Sequence, residues 1–240
     1  MHKAIEPAIL YLGTPVSLIT TRNIDKSINV APNSSLFWLG WSCMIGIDAS
    51  SKTTENILRT RRCVLNMPSS DMAANVSDIA LKTGSEIVPV HKRLLGYTYS
   101  KDKLSETGLT TVICDKFEGD RIEQCPIQME AEVVSVHQFA ENDEKMAIQT
   151  LAIELRICRI YAAEEIMIES KKNRVDPKKW NPLIMSFRQF FGISEIGVKS
   201  KLNTGDEDLY APWKMQGVIG VITRLALSLS VRSNNCARSR

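Results

Sequence analysis

The segment from Asp48 to Asn56 concentrates side chains that can bind an anion. It reads DASSKTTEN, and it surrounds Lys52 with four hydroxyl-bearing residues, Ser50, Ser51, Thr53 and Thr54. An amphipathic pattern over residues 53–60 predicts a helix that begins here, and a helix start has unpaired backbone N–H groups and a partial positive charge. The segment therefore predicts a phosphate site. The alternative is that Ser51 or Thr53 caps the helix and that the other polar groups are only solvated.

A second polar turn, Asn33-Ser34-Ser35, precedes two short apolar strands expected over residues 35–39 and 43–48. Directed hydrogen-bond donors beside an apolar wall suit the edge of a planar ring. The same residues are also typical of a turn without a binding role. Since each polar segment has an ordinary structural explanation by itself, it is their combination that predicts a pocket for a phosphate and a ring.

The residues around these turns predict mainly short strands. A β-branched run at residues 15–21, a polar turn at 22–27 and a return at 28–32 indicate a hairpin. A further strand is expected over residues 63–67, and Pro68 ends it because proline cannot donate to the ladder of a sheet.

A helix is expected over residues 69–81, capped by Ser70 or Asp71. The next stretch, residues 82–110, is rich in turn-forming glycines and shows no clear element of its own. A connection of that length is more often functional than idle.

Two long strands are expected in the second half of the chain. Apolar and polar residues alternate over 127–133 and again over 151–157, and a charged turn at 141–145 separates them. Many short strands with few helices predict a mainly β fold, an antiparallel and closed or nearly closed barrel with peripheral helices. Neither G-x-G-x-x-G nor G-x-x-x-x-G-K-[ST] occurs in the sequence, so a phosphate here is expected to bind without a standard nucleotide loop.

The composition excludes several classes of protein. The 240 residues carry a formal charge of only +3, which gives no argument for nucleic acid. The six cysteines have no C-x-x-C spacing, and no metal site is expected. The N-terminus has no signal-peptide pattern, and the apolar stretch Met215–Val231 contains Arg224 and is too short to span a bilayer. We expect a cytoplasmic protein without a membrane segment.

The chain resembles the flavin reductase-like family of FMN-binding split β-barrels, which have a Greek-key antiparallel fold. The core of the resemblance is N-V-A-P-x-S-S at Asn29, D-A-S-S-x-T-T-E-N at Asp48 and V-L-N-M-P at Val64. It continues over residues 90–97, 102–110, 125–130 and 182–192. The resemblance implies a flavin reductase-like domain over residues 1–200 and leaves 201–240 as a C-terminal extension of unknown role.

The resemblance also implies a homodimer with one FMN against each barrel, near the contact between subunits. Asn33, Ser34 and Ser35 would then contact the flavin ring edge or the ribityl chain. Asp48, Ala49, Ser50 and Ser51 would line the ribityl chain. The phosphate would be surrounded by Lys52, Thr53, Thr54 and Asn56.

Two residues of the long connection have an implied role as well. His91 would border the substrate face and Lys92 would pair with the phosphate. The alternative is an exposed histidine and a solvated lysine on a loop.

An aromatic group near residue 188 has two explanations. Trp180, Phe187, Phe190 and Phe191 surround Arg188 in the sequence. They would either cover the flavin or close the dimer, or simply belong to the core.

The leading hypothesis is an FMN-binding oxidoreductase, a flavin reductase that transfers hydride from NADH or NADPH to flavin N5 and passes electrons to an acceptor such as a partner oxygenase. Such a reaction depends mainly on positioning, so no catalytic side chain is assigned. The alternatives are an FMN-binding electron carrier or redox sensor without NAD(P)H turnover, and a barrel that serves only as a dimeric interaction module.

Overall fold

The computed structural model describes residues 1–7, 9–143, 146 and 148–193, so the expected extension over 201–240 lies outside the described residues. The strands are β1 (Leu12–Pro15), β2 (Ser17–Arg22), β3 (Ile28–Asn33), β4 (Leu36–Leu39), β5 (Ser42–Asp48), β6 (Arg62–Met67), β7 (Lys82–Thr83), β8 (Thr98–Tyr99), β9 (Thr111–Ile113), β10 (Asp120–Ile122), β11 (Ile127–Phe139), β12 (Thr150–Ala162), β13 (Ile184–Ser186) and β14 (Gln189–Phe191). The α-helices are α1 (Lys52–Thr60), α2 (Ala73–Ala80), α3 (Val90–Leu94) and α4 (Lys103–Thr107), and 3-10 turns cover Ser70–Met72 and Glu164–Ile166.

Seven strands form one antiparallel sheet in the order β3-β2-β6-β11-β12-β5-β4. Its two edge strands, β3 and β4, are consecutive in the chain and are joined only by Ser34 and Ser35. A flat sheet of this size would separate its edges by about 29 Å, since neighbouring strands lie about 4.8 Å apart. Three peptide steps span at most about 11 Å. The sheet must therefore curl until its edges approach each other, which produces the expected barrel.

The strand predictions around the site are confirmed. The hairpin is β2 and β3, which pair from Ser17–Asn33 to Arg22–Ile28. The two long strands are β11 and β12, which pair along their whole lengths. The helix predicted over 53–60 is α1, and it begins one residue earlier.

The core lies on both faces of β2, because alternate side chains of a strand point to opposite faces. Ile19 packs inside the barrel with Ile45, Leu65 and Ile153, and each of these side chains is fully buried. Leu18 points the other way and packs in a second cluster that includes residues of α2 and α4. The second cluster fixes these helices against the barrel wall.

The prediction for residues 69–81 is wrong in its cap. A 3-10 turn precedes α2, and the residue at the N-terminal boundary of α2 is Met72, which makes no capping hydrogen bond. Neither Ser70 nor Asp71 therefore caps the helix. The connection 82–110 is also more ordered than expected, since it contains α3 and α4. Each of these helices has only five residues, too few for hydrophobic periodicity to reveal.

The expectation that β11 is half-buried is wrong at two polar positions. Gln128 is nearly buried and Glu130 is fully buried. Glu130 accepts hydrogen bonds from the backbone N–H groups of Asp115 (2.9 Å) and Lys116 (3.0 Å) and from the Tyr161 hydroxyl (2.8 Å). A local pattern cannot predict this burial, because the covering loop comes from another part of the chain.

The aromatic residues around Arg188 do not form one cluster. Trp180 packs against the inner core and Phe190 against the outer one, whereas Phe187 and Phe191 are about half exposed. Arg188 is exposed at the tip of the β13–β14 hairpin. In the described part of the chain, no helix has the length and apolar character needed to cross a membrane.

Candidate functional site

The start of α1 is built from the hydroxyl-rich segment that the sequence singles out. Ser51 is the N-cap, and its side chain accepts a hydrogen bond from the backbone N–H of Thr54 at 3.0 Å. The Asp48 Oδ1 atom accepts from both the backbone N–H and the hydroxyl of Ser50, each at 2.7 Å. The Thr54 hydroxyl donates to the backbone carbonyl of Asp48 at 2.7 Å. The capping explanation thus holds for Ser51, and many of the hydrogen-bonding groups of this segment bind to each other within the turn.

A buried polar group lies behind this turn and centres on Asn29. Its Nδ2 atom donates to the hydroxyls of Thr21 (3.2 Å) and Thr53 (3.0 Å). Its Oδ1 atom accepts from the Lys103 ammonium at 3.2 Å, and Lys103 also donates to the carbonyl of Val30. Thr53 therefore lies where the sequence suggests a phosphate site, and Lys103 joins it from α4.

Lys103 is the most unusual charge of this group, because it is only 5% exposed. Its side chain makes no ion pair with any carboxylate in the described part of the chain. Burial, followed by repulsion from Lys92, lowers the pKa of Lys103 to about 8, and Glu106 offsets only part of this effect. The protein thus holds an ammonium group that its own side chains do not neutralise.

The structure brings Asp48, His91 and Lys92 into contact, and the sequence assigns all three to one site without predicting that they pair. The Asp48 Oδ2 atom lies 3.0 Å from His91 Nε2 and 3.1 Å from Lys92 Nζ. Burial alone would raise the pKa of Asp48, but hydrogen bonds from His91 and Ser50 and the charge of Lys92 lower it to about 2. Asp48 is therefore ionised at neutral pH. Lys92 is 9% exposed, so it is not the solvated loop lysine of the alternative explanation.

Lys52 and Gly84 complete the surroundings of Asn29. A Cβ atom added to Gly84 would lie 2.5 Å from Asn29 Oδ1 and 3.2 Å from Lys52 Cγ. Only glycine permits this close approach of the backbone. Lys52 itself pairs with Glu55 at 2.8 Å on the open side of α1. We refer to Lys52, Lys92 and Lys103 as the lysine cluster.

Two residues predicted near the phosphate make no hydrogen bond, among the described residues, to the lysine cluster. Thr54 is fully buried, and its hydroxyl is used within the turn. Asn56 is also fully buried and donates to Thr21 (3.1 Å) and Asn23 (2.8 Å). Both residues support the site from behind, and direct cofactor contacts for them stay a prediction.

The residues predicted for the ring side organise the connection between the edge strands. Asn33 Nδ2 donates to the carbonyl of Gly46 at 2.9 Å, and its Oδ1 accepts from the backbone N–H of Ser35 at 2.9 Å. Ser34 and Ser35 are half-buried in the same connection. Ala49 follows β5, where its backbone N–H donates to the carbonyl of Gln149 at 3.0 Å. The contacts of these residues with a ligand stay a prediction.

Sequence reasoning missed Asn29 and Lys103 as members of the site. Asn29 lies within a strand, and Lys103 lies in a short helix after the capping residue Asp102. The only local signal is the resemblance over 102–110, which does not state a role for the lysine. Over the described ranges, no group of three His, Cys, Asp or Glu side chains is placed to hold a metal ion.

Comparisons with known proteins identify the family of the chain. A family model described as the flavin reductase-like domain matches residues 10–194. The uncharacterized protein YdfE of Bacillus subtilis (strain 168) is 36% identical over 196 residues, which cover 81% of this chain and 91% of YdfE.

Solved structures show the same fold at much lower sequence identity. Flavoredoxin of Desulfovibrio vulgaris (Miyazaki F) is similar with a TM-score of 0.68 and 16% identity, over 85% of this chain and 100% of that one. Nitrilotriacetate monooxygenase component B from Bacillus cereus is similar with a TM-score of 0.61 and 13% identity, over 78% and 88% of the two chains. The predicted split β-barrel fold is confirmed.

Proposed function

Because the chain belongs to the flavin reductase-like domain family, we propose that it is an FMN-binding oxidoreductase that uses NADH or NADPH as its hydride donor. The observation that carries the proposal is the lysine cluster around Asn29. It contains two nearly buried ammonium groups, and one of them, Lys103, has only neutral oxygen atoms as partners.

The donor set of the cluster fits the terminal phosphate of FMN. A phosphate monoester carries a charge of about −1.5 to −2 at neutral pH and offers three acceptor oxygens. Lys103 and Lys92 supply charge from the buried side, and Lys52 supplies it from the open side. The buried Thr53 hydroxyl and the Asn29 amide lie next to Lys103. We propose that these five residues hold the phosphate.

The rest of the sequence-based assignment is kept as part of the proposal. Asp48, Ala49, Ser50 and Ser51 would follow the ribityl chain, and the Asn33–Ser35 connection would face the ring edge. When bound, the flavin would supply the ring nitrogen that accepts a hydride and from which electrons leave. The chain itself would orient the cofactor and exclude water. Asp48 is ionised but committed to His91, Lys92 and Ser50, so we assign it no role as a proton acceptor.

The proposal includes a homodimer, a cytoplasmic location and an oxygenase as the electron acceptor. The support for an oxygenase is the likeness to a monooxygenase component B from Bacillus cereus. The support for a dimer is apolar surface on the small sheet of β1, β13 and β14, where Leu12 is 73% exposed and Phe191 is 50% exposed. Light scattering of the purified protein would measure the oligomeric state directly.

The test is a flavin titration followed by turnover measurements. Purified protein is titrated with FMN, FAD and riboflavin by fluorescence, and oxidation of NADH and NADPH is followed with FMN present. The proposal expects preferential FMN binding and NAD(P)H oxidation that depends on the protein. Protein that neither binds FMN nor oxidises NAD(P)H would refute it. Tight FMN binding without NAD(P)H oxidation would instead identify an electron carrier or sensor.

A further inference from the structure

Residues 84–97 form a loop whose two ends are joined by a small separate sheet of β7 and β8. β7 and β8 pair in parallel, with Lys82 opposite Thr98 and Thr83 opposite Tyr99. A backbone hydrogen bond from Ser100 to Thr83 (2.9 Å) closes the same junction. The chain between these strands therefore projects as one closed loop that carries α3. Such compact loops with adjacent ends are often functional.

Both ends of this loop contain a glycine with a specific role. Gly84 lies directly against Asn29, where no side chain would fit. Gly96 has a φ of +88°, a value that other residues rarely adopt. Each end of the loop therefore favours glycine, Gly84 because no space is left for a side chain and Gly96 because of its backbone conformation.

The loop lies against the buried side of the lysine cluster and contributes one of its members. From α3, Lys92 points inward and is 9% exposed, close enough to Lys103 to lower its pKa. On the other side of α3, Val90 is 62% exposed and Leu94 is 83% exposed. Lys103 is 5% exposed, and its acceptor Asn29 Oδ1 lies directly against Gly84 at the start of the loop. A phosphate cannot reach an ammonium group buried to this degree unless the covering segment moves.

One carboxylate holds this cover to the barrel. Among the described residues, the hydrogen bonds and ion pairs that join α3 to the barrel all end on Asp48 Oδ2, from His91 Nε2 at 3.0 Å and from Lys92 Nζ at 3.1 Å. The other oxygen of Asp48 is fixed by Ser50 in the turn before α1. Asp48 therefore connects the cover to the start of α1 and fixes the position of Lys92.

We propose that residues 84–97 are a lid over the phosphate end of the flavin site, and that Asp48 is the latch that keeps this lid closed and positions Lys92. The ligand class is a flavin with a terminal phosphate monoester. The inference rests on the proposed function for its ligand, but not for the lid itself. Its consequence is kinetic: Asp48 controls how fast a phosphorylated flavin enters and leaves, and so whether FMN is retained or exchanged.

The first test needs no flavin. Asp48→Asn keeps the size of the side chain and an acceptor for Ser50 but removes the charge that holds His91 and Lys92. Amide hydrogen exchange of residues 84–97 should become at least about tenfold faster, since a charge-assisted hydrogen bond is lost. Exchange in β6 and β11 should not change. Asp25→Asn is the matched control, because Asp25 also accepts from the N–H and hydroxyl of a nearby serine in a turn but contacts no lid residue.

The second test uses FMN and riboflavin as paired probes in stopped-flow fluorescence. Asp48→Asn should accelerate both association and dissociation of FMN about tenfold or more relative to riboflavin, which lacks the phosphate. The two flavins are compared as a ratio because Asp48 is also proposed to line the ribityl chain that both contain. Equal acceleration of both flavins would overturn the proposal, as would lid amides that exchange no faster than in wild type. If Asp48→Asn does not fold, Lys92→Met removes one of the two contacts of the lid with Asp48. For this variant only hydrogen exchange of residues 84–97 is measured, because Lys92 is itself proposed to bind the phosphate. Faster lid exchange in a protein that binds no FMN would leave the lid standing and refute the flavin function.

Discussion

Replacement of Lys103 by methionine tests the phosphate site at its most informative residue. Methionine has a similar length and keeps the apolar part of the side chain, but it removes the ammonium group. We expect Lys103→Met to weaken FMN binding strongly and to leave riboflavin binding unchanged. The reason is that Lys103 has two neutral acceptors and, within the part of the chain that the structure describes, no carboxylate in an ion pair with it, so an arriving phosphate would be its counter-charge.

The size of the effect follows from the pKa of Lys103. A fall from 10.5 to about 8 means that the fold disfavours the charged form by about 3 kcal/mol. A phosphate that neutralises the ammonium can recover up to this amount, so its loss corresponds to roughly a 100-fold increase in the Kd for FMN. The free energy of unfolding without flavin should change little. Removal of the buried charge stabilises the fold, whereas the oxygen atoms of Asn29 and Val30 lose their hydrogen-bond donor, which costs about 1–3 kcal/mol each. The two effects oppose each other.

The assay is a pair of fluorescence titrations, with FMN and with riboflavin, on wild type and variant. Lys101→Met is the matched control, because Lys101 lies two residues away and is exposed. The quantity to compare is the ratio of the two dissociation constants, which removes any general effect of the substitution on the ring site. A ratio that stays within about threefold of wild type would refute the assignment of Lys103.

The pH dependence gives an independent check on the same residue. The Lys103 ammonium of the free protein loses its proton as the pH rises through about 8, so the FMN affinity of wild type should decline above about pH 8. The unfolded chain keeps this proton up to about pH 10.5, and the stability of protein without flavin should therefore rise between pH 8 and 10.5. Lys103→Met should show neither trend. A decline in FMN affinity that persists in the variant would mean that another group titrates.

Three further predictions concern stability. The pKa of Asp48 is lowered to about 2, so its contribution to the free energy of unfolding is fully present above about pH 4 and is lost as the pH falls through 2. Between pH 4 and pH 2 the free energy of unfolding of Asp48→Asn should therefore fall by about 2 kcal/mol less than that of wild type. Glu130→Ala should lower the free energy of unfolding in urea by about 3–5 kcal/mol, because the buried partners of the carboxylate lose their acceptor. Tyr161→Phe, which removes only one of these hydrogen bonds, should lower it by about 1 kcal/mol. Equal losses in the two variants would show that the carboxylate is not the centre of the network. Phe187 and Arg188 both have positive φ in a two-residue hairpin loop, a conformation that Asn and Gly adopt more easily. The double change Phe187→Asn with Arg188→Gly should therefore raise the free energy of unfolding, measured by thermal denaturation, by about 1–2 kcal/mol. A decrease would contradict a strained turn.

The fold could be predicted because its signals are local. Apolar alternation marks the long strands β11 and β12, and the polar turn between β2 and β3 marks a hairpin. The absence of strand-helix alternation separates a barrel from an open parallel sheet. Short elements escaped prediction for the same reason, since α3 and α4 have five residues each and leave no period to detect.

The site could be predicted only in part, because its contacts join distant segments. The hydroxyl-rich turn at Ser50 is continuous in sequence and was identifiable. Asn29 and Lys103 are 74 residues apart and meet only because α4 packs against β3. The partner of His91 and Lys92 was equally invisible, since Asp48 lies 43 residues before His91. Local chemistry can suggest an anion site, but it cannot show which side chains the fold brings to it.

Two buried charges in this protein show how a structural charge differs from a functional one. Glu130 and Lys103 both break the rule that charged side chains stay at the surface. Glu130 is compensated within the protein by two backbone N–H groups and a tyrosine hydroxyl, with Arg121 4.0 Å away. Lys103 has hydrogen bonds to neutral oxygen atoms but no ion pair among the described residues; a second lysine lies nearby, and Glu106 offsets only part of the effect. The first arrangement is complete without a ligand and organises a loop. The second has no ion-pair partner among the described residues, and for this reason Lys103, more than the conspicuous hydroxyls of the turn, supports the proposed phosphate site.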